Sequence, residues 1–156
     1  MSDLEARIAR LEAESAIRRL KARYLNACDA KDVDAIRACF TPDAELDYQP
    51  IGKFGPDGLI EVFTQIAVNS PIVDVHQGHN AEIEVIDADH ARGRWNLGFA
   101  TYDPREGTFR LLSSFYHDEY VRTADGWRIA KSRNEPRTIL DGKLTDGSVS
   151  AQSLLP

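Results

Sequence analysis

The chain has 156 residues, enough for one domain with a sizeable core. Hydrophobic residues make up 42% and charged residues 28%, the balance of a globular protein rather than a disordered or fibrous one. A net charge of −6 and an isoelectric point near 5.2 argue against the clustered cationic surface that nucleic-acid binding needs, so no nucleic-acid partner is expected.

Ser2-Asp3-Leu4-Glu5 has the spacing of a capping box, with the hydroxyl at the N-cap and Glu5 three residues on. Apolar residues then recur at three- and four-residue steps, through Leu4, Ile8 and Leu11 and, after a shift near Ser15, through Ile17, Leu20 and Tyr24. This predicts one long helix, or two in series, over about residues 3–30. The basic run from Arg18 to Arg23, which contains Lys21, is read as a solvated helix face. Asp32 is the expected N-cap of a second helix with Val33, Ile36 and Phe40 on its buried stripe, ended by Thr41-Pro42. Cys28 and Cys39 fall in these helix-like segments and suggest neither a disulfide framework nor a metal site. They are read as reduced thiols of a cytoplasmic protein.

Residues 44–48 read as a short strand, and Gly52 to Pro56 as a turn into a third helix carrying Leu59, Ile60, Phe63 and Ile66. From about residue 72 the pattern becomes one of strands, expected at 72–86, 90–102, 108–122 and 126–135, joined by short turns that imply antiparallel hairpins. Residues 141–156, rich in Gly, Ser and Thr, are expected to form a polar tail beside a single domain at 1–140. No stretch approaches the ~18–20 apolar residues of a membrane span, and the charged N-terminus lacks a signal-peptide pattern. The fold class expected is therefore α+β: a curved, mainly antiparallel sheet packed on three helices, with a small-molecule pocket between the layers.

Two residues stand out for chemistry. Asp29 closes the first helix, where a carboxylate is disfavoured by the helix dipole, so something else must hold it there. His76 lies in Val75-His76-Gln77-Gly78-His79-Asn80. A carboxylate bound to one imidazole nitrogen fixes the tautomer and leaves the other nitrogen as a base. The apolar parity of this strand switches between His76 and the set Ala81, Ile83 and Val85, so a β-bulge, expected at Gly78, would bring His76 to their face. Asp74 shares the parity of His76 and is the competing partner. His79 should point to the opposite face, so no metal pair is expected. His90 and His117 read as structural or exposed.

These segments, with Gly93-Arg94-Trp95 and Asp125-Gly126-Trp127-Arg128-Ile129, resemble the SnoaL-like branch of the nuclear transport factor 2-like superfamily over roughly residues 4–138. Within it the chain is similar to bile-acid 7α-dehydratases, hexachlorocyclohexane dehydrochlorinases and, more remotely, scytalone dehydratases. The resemblance implies a cone-shaped α+β barrel and a cofactor-independent lyase with no cofactor and no metal. It implies Asp29 and His76 as the catalytic pair, with Tyr24 and Arg133 assisting the leaving group. Tyr48 and Phe54 are placed at the pocket mouth, and Trp95, Phe99 and Phe115 in its lining. Phe99 stands near where the bile-acid enzyme has a second acid, so a more apolar pocket and another substrate are expected. The substrate implied is a hydrophobic, ring-containing small molecule, and the assembly a homo-oligomer, a trimer or dimer. A non-catalytic binding module and a polyketide-type cyclase or isomerase are the alternative readings.

Overall fold

The structure, a computed structural model, describes residues 3–144. Ser2, the expected first cap, and residues 145–156 of the expected tail lie outside the described residues.

Helix α1 runs unbroken over Asp3–Ala30. Its first apolar stripe, Leu4, Ile8 and Leu11, is exposed, and burial begins at Ala13 and continues through Ile17, Leu20, Tyr24 and Cys28. The helix ends in paired reverse bonds, Asp32 N–H to Ala27 O (3.0 Å) and Lys31 N–H to Cys28 O (3.1 Å), around Lys31 at φ 57°. That left-handed conformation is one a non-glycine residue adopts at a cost. Lys31 offsets it by donating from Nζ to Ser70 O and Ile72 O, which ties the helix end to the segment entering the third strand. Helix α2, Val33–Arg37, is capped by Asp32, whose side chain accepts from Ala35 N–H.

Strand β1 covers Phe40–Tyr48 and β2 Gly52–Phe54. Phe40 and Thr41-Pro42 therefore belong to a strand rather than to the end of a helix. Pro42 has no N–H to donate, and it sits where pairing with the last strand is interrupted, between Phe40 and Glu45. Helix α3, Pro56–Phe63, gives way to a wider π-helical turn at Thr64–Val68, which contains Ile66. Four long strands follow: β3 Val73–Val85, β4 His90–Asp103, β5 Thr108–Thr123 and β6 Gly126–Lys143. Strand β6 thus continues past the expected tail boundary at Asp141.

The six strands form one curved sheet in the order β2-β1-β6-β5-β4-β3, antiparallel except for β1 beside β6. Among the described residues it is not closed, and β2 and β3 are its edges. The helices cover one face, and the core between the layers holds Tyr24, Tyr48, Trp95, Tyr116 and Tyr120 among aliphatic residues. Gly78 lets α1 approach β3 closely, since a Cβ there would lie 2.9 Å from Leu25 Cδ1. The expected bulge exists two residues beyond Gly78. His79 pairs Asn96 and Glu82 pairs Arg94, so Asn80 and Ala81 both oppose Trp95. Asn80 takes φ 50°, a conformation asparagine tolerates better than most side chains.

Candidate functional site

The chemistry-bearing pair is assembled by the docking of α1 against the edge of β3. His76 Nδ1 lies 2.6 Å from Asp29 Oδ1, and the His76 backbone N–H is shared by both carboxylate oxygens at 3.0 and 3.1 Å. On an edge strand that N–H has no ladder partner, so Asp29 satisfies it and orients the ring at once. This is what holds a carboxylate at an unfavourable helix end. The carboxylate accepts, so Nδ1 carries the proton and in the neutral ring Nε2 keeps its lone pair. The His76 side chain is 14% exposed and that of Asp29 28%, which leaves the pair within reach of a small molecule. Phe99, directly opposite His76 on β4, packs its ring 4.6 Å from the imidazole. Asp74 does not compete for His76. It is buried, with Oδ1 unpartnered.

Behind the pair the interior is occupied by buried aromatic and polar side chains. Lys21 and Asp118 form a fully buried ion pair, Nζ to Oδ2 at 2.8 Å. Asp118 also accepts from Tyr120 OH (2.8 Å) and Ser132 Oγ (2.7 Å), and Trp95 Nε1 donates to Tyr120 OH. The Lys21 ammonium sits 3.4 Å from the Tyr116 ring centre. Burial draws the lysine below its usual range, and Asp118 opposes that shift. Lys21 therefore does not belong to the solvated face, whereas Arg18, Arg19 and Arg23 do. Its place was readable in the sequence: Ile17, Lys21, Tyr24 and Cys28 fall on one helical stripe, and Asp118 alternates with Tyr116 and Tyr120.

This network fixes the direction of the Tyr24 hydroxyl. Ser132 gives its one proton to Asp118, so Tyr48 donates to Ser132 (3.3 Å) and Tyr24 in turn to Tyr48 (3.1 Å). The Tyr24 proton is thus committed to the core, and burial pushes its phenol well above the ordinary range. Tyr48 is likewise a core residue, with Phe54 edge-on to it at 6.2 Å.

Arg133 and Phe115 lie on the other face of the sheet. Arg133 donates to Glu135, and Phe115 is held between the guanidinium groups of Arg94 and Arg137, 4.2 and 5.1 Å away. That face carries a cleft of about 990 Å³, crossed by the charged rung Glu82, Arg94, His117, Arg133 and Asp47. The cleft does not contain the Asp29–His76 pair, and its ions are mostly matched within the chain. We place the candidate site at the pair because, of the three carboxylate-bound histidines among the described residues, His76 is the one sheltered from solvent, its side chain 14% exposed against 59% for His90 and 38% for His117. Of the residues expected in the site, the structure brings Asp29, His76 and Phe99 together, leaves Tyr24, Tyr48 and Trp95 in the adjoining core, and turns Arg133 and Phe115 away. His79 points away from His76, and among the described residues no cluster of three or more His, Cys, Asp or Glu could hold a metal ion.

Comparison with known proteins gives the same frame. The family model of the SnoaL-like domain matches residues 9–133. An uncharacterized protein of Mycobacterium tuberculosis is 32% identical over 131 residues, covering 80% of this chain and 85% of that protein. Among solved structures, a type 2 hexachlorocyclohexane dehydrochlorinase superposes with a TM-score of 0.80 at 21% identity, over 95% of this chain and 99% of its own. A candidate scytalone dehydratase of Novosphingobium aromaticivorans gives 0.80 at 20% identity, over 87% and 91%. At these identities the two structures establish a shared fold.

Proposed function

The chain belongs to the SnoaL-like domain family, and on that premise we propose that it is a cofactor-independent lyase, or a related isomerase, acting on a hydrophobic ring compound. The observation that carries this reading is the 2.6 Å contact between Asp29 and His76, which leaves Nε2 as a base beside the apolar ring of Phe99. In the reaction His76 Nε2 takes a proton from carbon. The C–H electron pair becomes the new double bond as the group on the neighbouring carbon departs with its own bonding pair: a hydroxyl leaves as water by taking the proton His76 has just received, and a halide leaves as the anion while His76 passes that proton to solvent. A general base contributes roughly 10²–10⁴-fold, and holding the ring against Phe99 supplies part of the remainder. The names of the two structural neighbours, one a dehydrochlorinase and one a dehydratase, favour elimination.

The test is turnover of a panel of hydroxylated and halogenated ring compounds, followed by halide release and by mass. The native protein should convert at least one of them, and His76→Ala should not, while keeping its unfolding midpoint. Equal conversion by the variant sinks the proposal. The interior occupied by side chains favours a second reading, a non-catalytic binding module, which predicts probe binding and no conversion. Two free, buried thiols at Cys28 and Cys39 fit the reducing cytoplasm. We also propose a homo-oligomer, supported by the exposed apolar rung Val75, Leu111 and Leu140 on the face of the sheet away from the helices.

A further inference from the structure

On the helix-covered face, the rung after His76–Phe99–Leu112–Ile139 is Asp74–Thr101–Arg110–Asp141, each residue directly opposite the next across adjacent strands. Arg110 and Asp141 satisfy each other through two bonds, at 2.7 and 3.0 Å. Asp74 and Thr101 do not: Asp74 is 7% exposed, and both its Oδ1 and Thr101 Oγ1 are shielded from solvent with no hydrogen-bond partner among the described residues, including each other. Buried polar atoms left unpaired are costly, so two on one rung mark a place where a partner belongs. A hollow of about 530 Å³ opens against Thr101, with Ile72, Arg110 and Asp141 among its walls.

The chemistry of the two groups selects that partner. A carboxylate oxygen can only accept, and a threonine hydroxyl can also donate. An alcohol or phenol complements both, giving its proton to Asp74 and accepting from Thr101. A ketone or ether leaves Asp74 unpaired, and an anion is repelled by it. Diagonal neighbours such as His76 and Thr101 stand about 7–8 Å apart, the span of one substituted ring. We infer that Asp74 and Thr101 form a hydroxyl-binding subsite, so that the substrate carries a hydroxyl across the ring from the carbon whose proton His76 removes. The inference rests on the reading of His76 as the base.

Two probes that differ only in the proton test it: 4-ethylphenol and its methyl ether, 4-ethylanisole. Binding is followed by NMR at the Thr101 methyl and the His76 ring. The phenol should bind roughly tenfold more tightly, the worth of one such hydrogen bond. Asp74→Val, which removes the acceptor of that proton, should erase the preference without weakening the ether, whereas Thr101→Val, which removes a donor that both probes can use, should weaken the two alike and Thr101→Ser should weaken neither. Equal affinity for the two probes, a phenol preference that survives in Asp74→Val, unchanged binding of both in Thr101→Val, or binding of neither overturns the subsite. A phenol preference at Thr101 with the His76 signals unmoved would uphold the subsite and overturn the proposed role of His76 instead.

Discussion

Asp29 does two things with one carboxylate, and the two separate on substitution. Asp29→Asn keeps an oxygen that can accept from the His76 backbone and ring, so the fold should be retained with a stability loss of about 1 kcal/mol. Asp29→Ala leaves the edge N–H and the ring unheld. It should cost about 1–3 kcal/mol by chemical denaturation and, in any turnover assay, lower kcat more than His76 exposure alone explains. The identity of the pair was legible in the sequence, because a carboxylate at a helix C-terminus and a parity break in a histidine-bearing strand both demand a reason. The site of the bulge was not. Gly78 is the residue that drew attention, but it serves close approach to Leu25, and the extra residue is accommodated at Asn80 by a backbone conformation that composition does not announce. Lys21 was misread for a different reason: a charge within a basic run looks solvated unless its helical phase is weighed against its type.

At the scale of elements, α1 is fastened to the sheet at three levels: Lys21 to Asp118 on β5, Asp29 to β3, and Lys31 to the segment before β3. Removing one partner of a buried ion pair strands the other charge. Lys21→Met should therefore destabilise by about 3–5 kcal/mol, and adding Asp118→Leu should recover part of that loss, as measured by urea unfolding. A double variant no more stable than Lys21→Met would show that the tyrosine and serine bonds to Asp118, rather than the lysine, carry the contribution. The helices and the four long strands were legible because their apolar periods are long and regular. The start of β1 and the length of β6 were not, since pairing with a neighbouring strand rather than local pattern decides both. That Tyr24, Tyr48 and Trp95 pack into the core was not legible either, since an aromatic residue on an apolar stripe reads equally well as packing or as part of a pocket.

For the whole molecule, the titration of the core sets an alkaline limit. Burial raises the phenols of Tyr24, Tyr48, Tyr116 and Tyr120 above their usual 10.0 and the thiol of Cys39 above 9.0, and pushes Cys28 from 9.0 to about 12. The unfolded chain gives up these protons first. The stability they contribute is complete below pH ~9 and is lost as pH rises, the Cys28 share progressively from 9.0 and wholly by about 12. Lys21, lowered in the fold, acts in the opposite sense up to its ordinary 10.5, one group against six. The melting temperature should fall by roughly 5 °C or more between pH 8 and 11, and a flat profile would contradict the burial of these groups. If the exposed Val75–Leu111–Leu140 rung joins copies, Leu111→Lys should convert the assembly to monomers in light scattering while leaving the Asp29–His76 contact intact. The proposed base chemistry depends on the Asp29–His76 contact leaving Nε2 of His76 unprotonated. The most direct measurement is the nitrogen-15 NMR spectrum of the neutral His76 ring in the native protein and in Asp29→Ala. The structure predicts the Nδ1–H tautomer with a pyridine-type Nε2 in the native protein, replaced by a mixture in the variant. An Nε2–H tautomer in the native protein would contradict it.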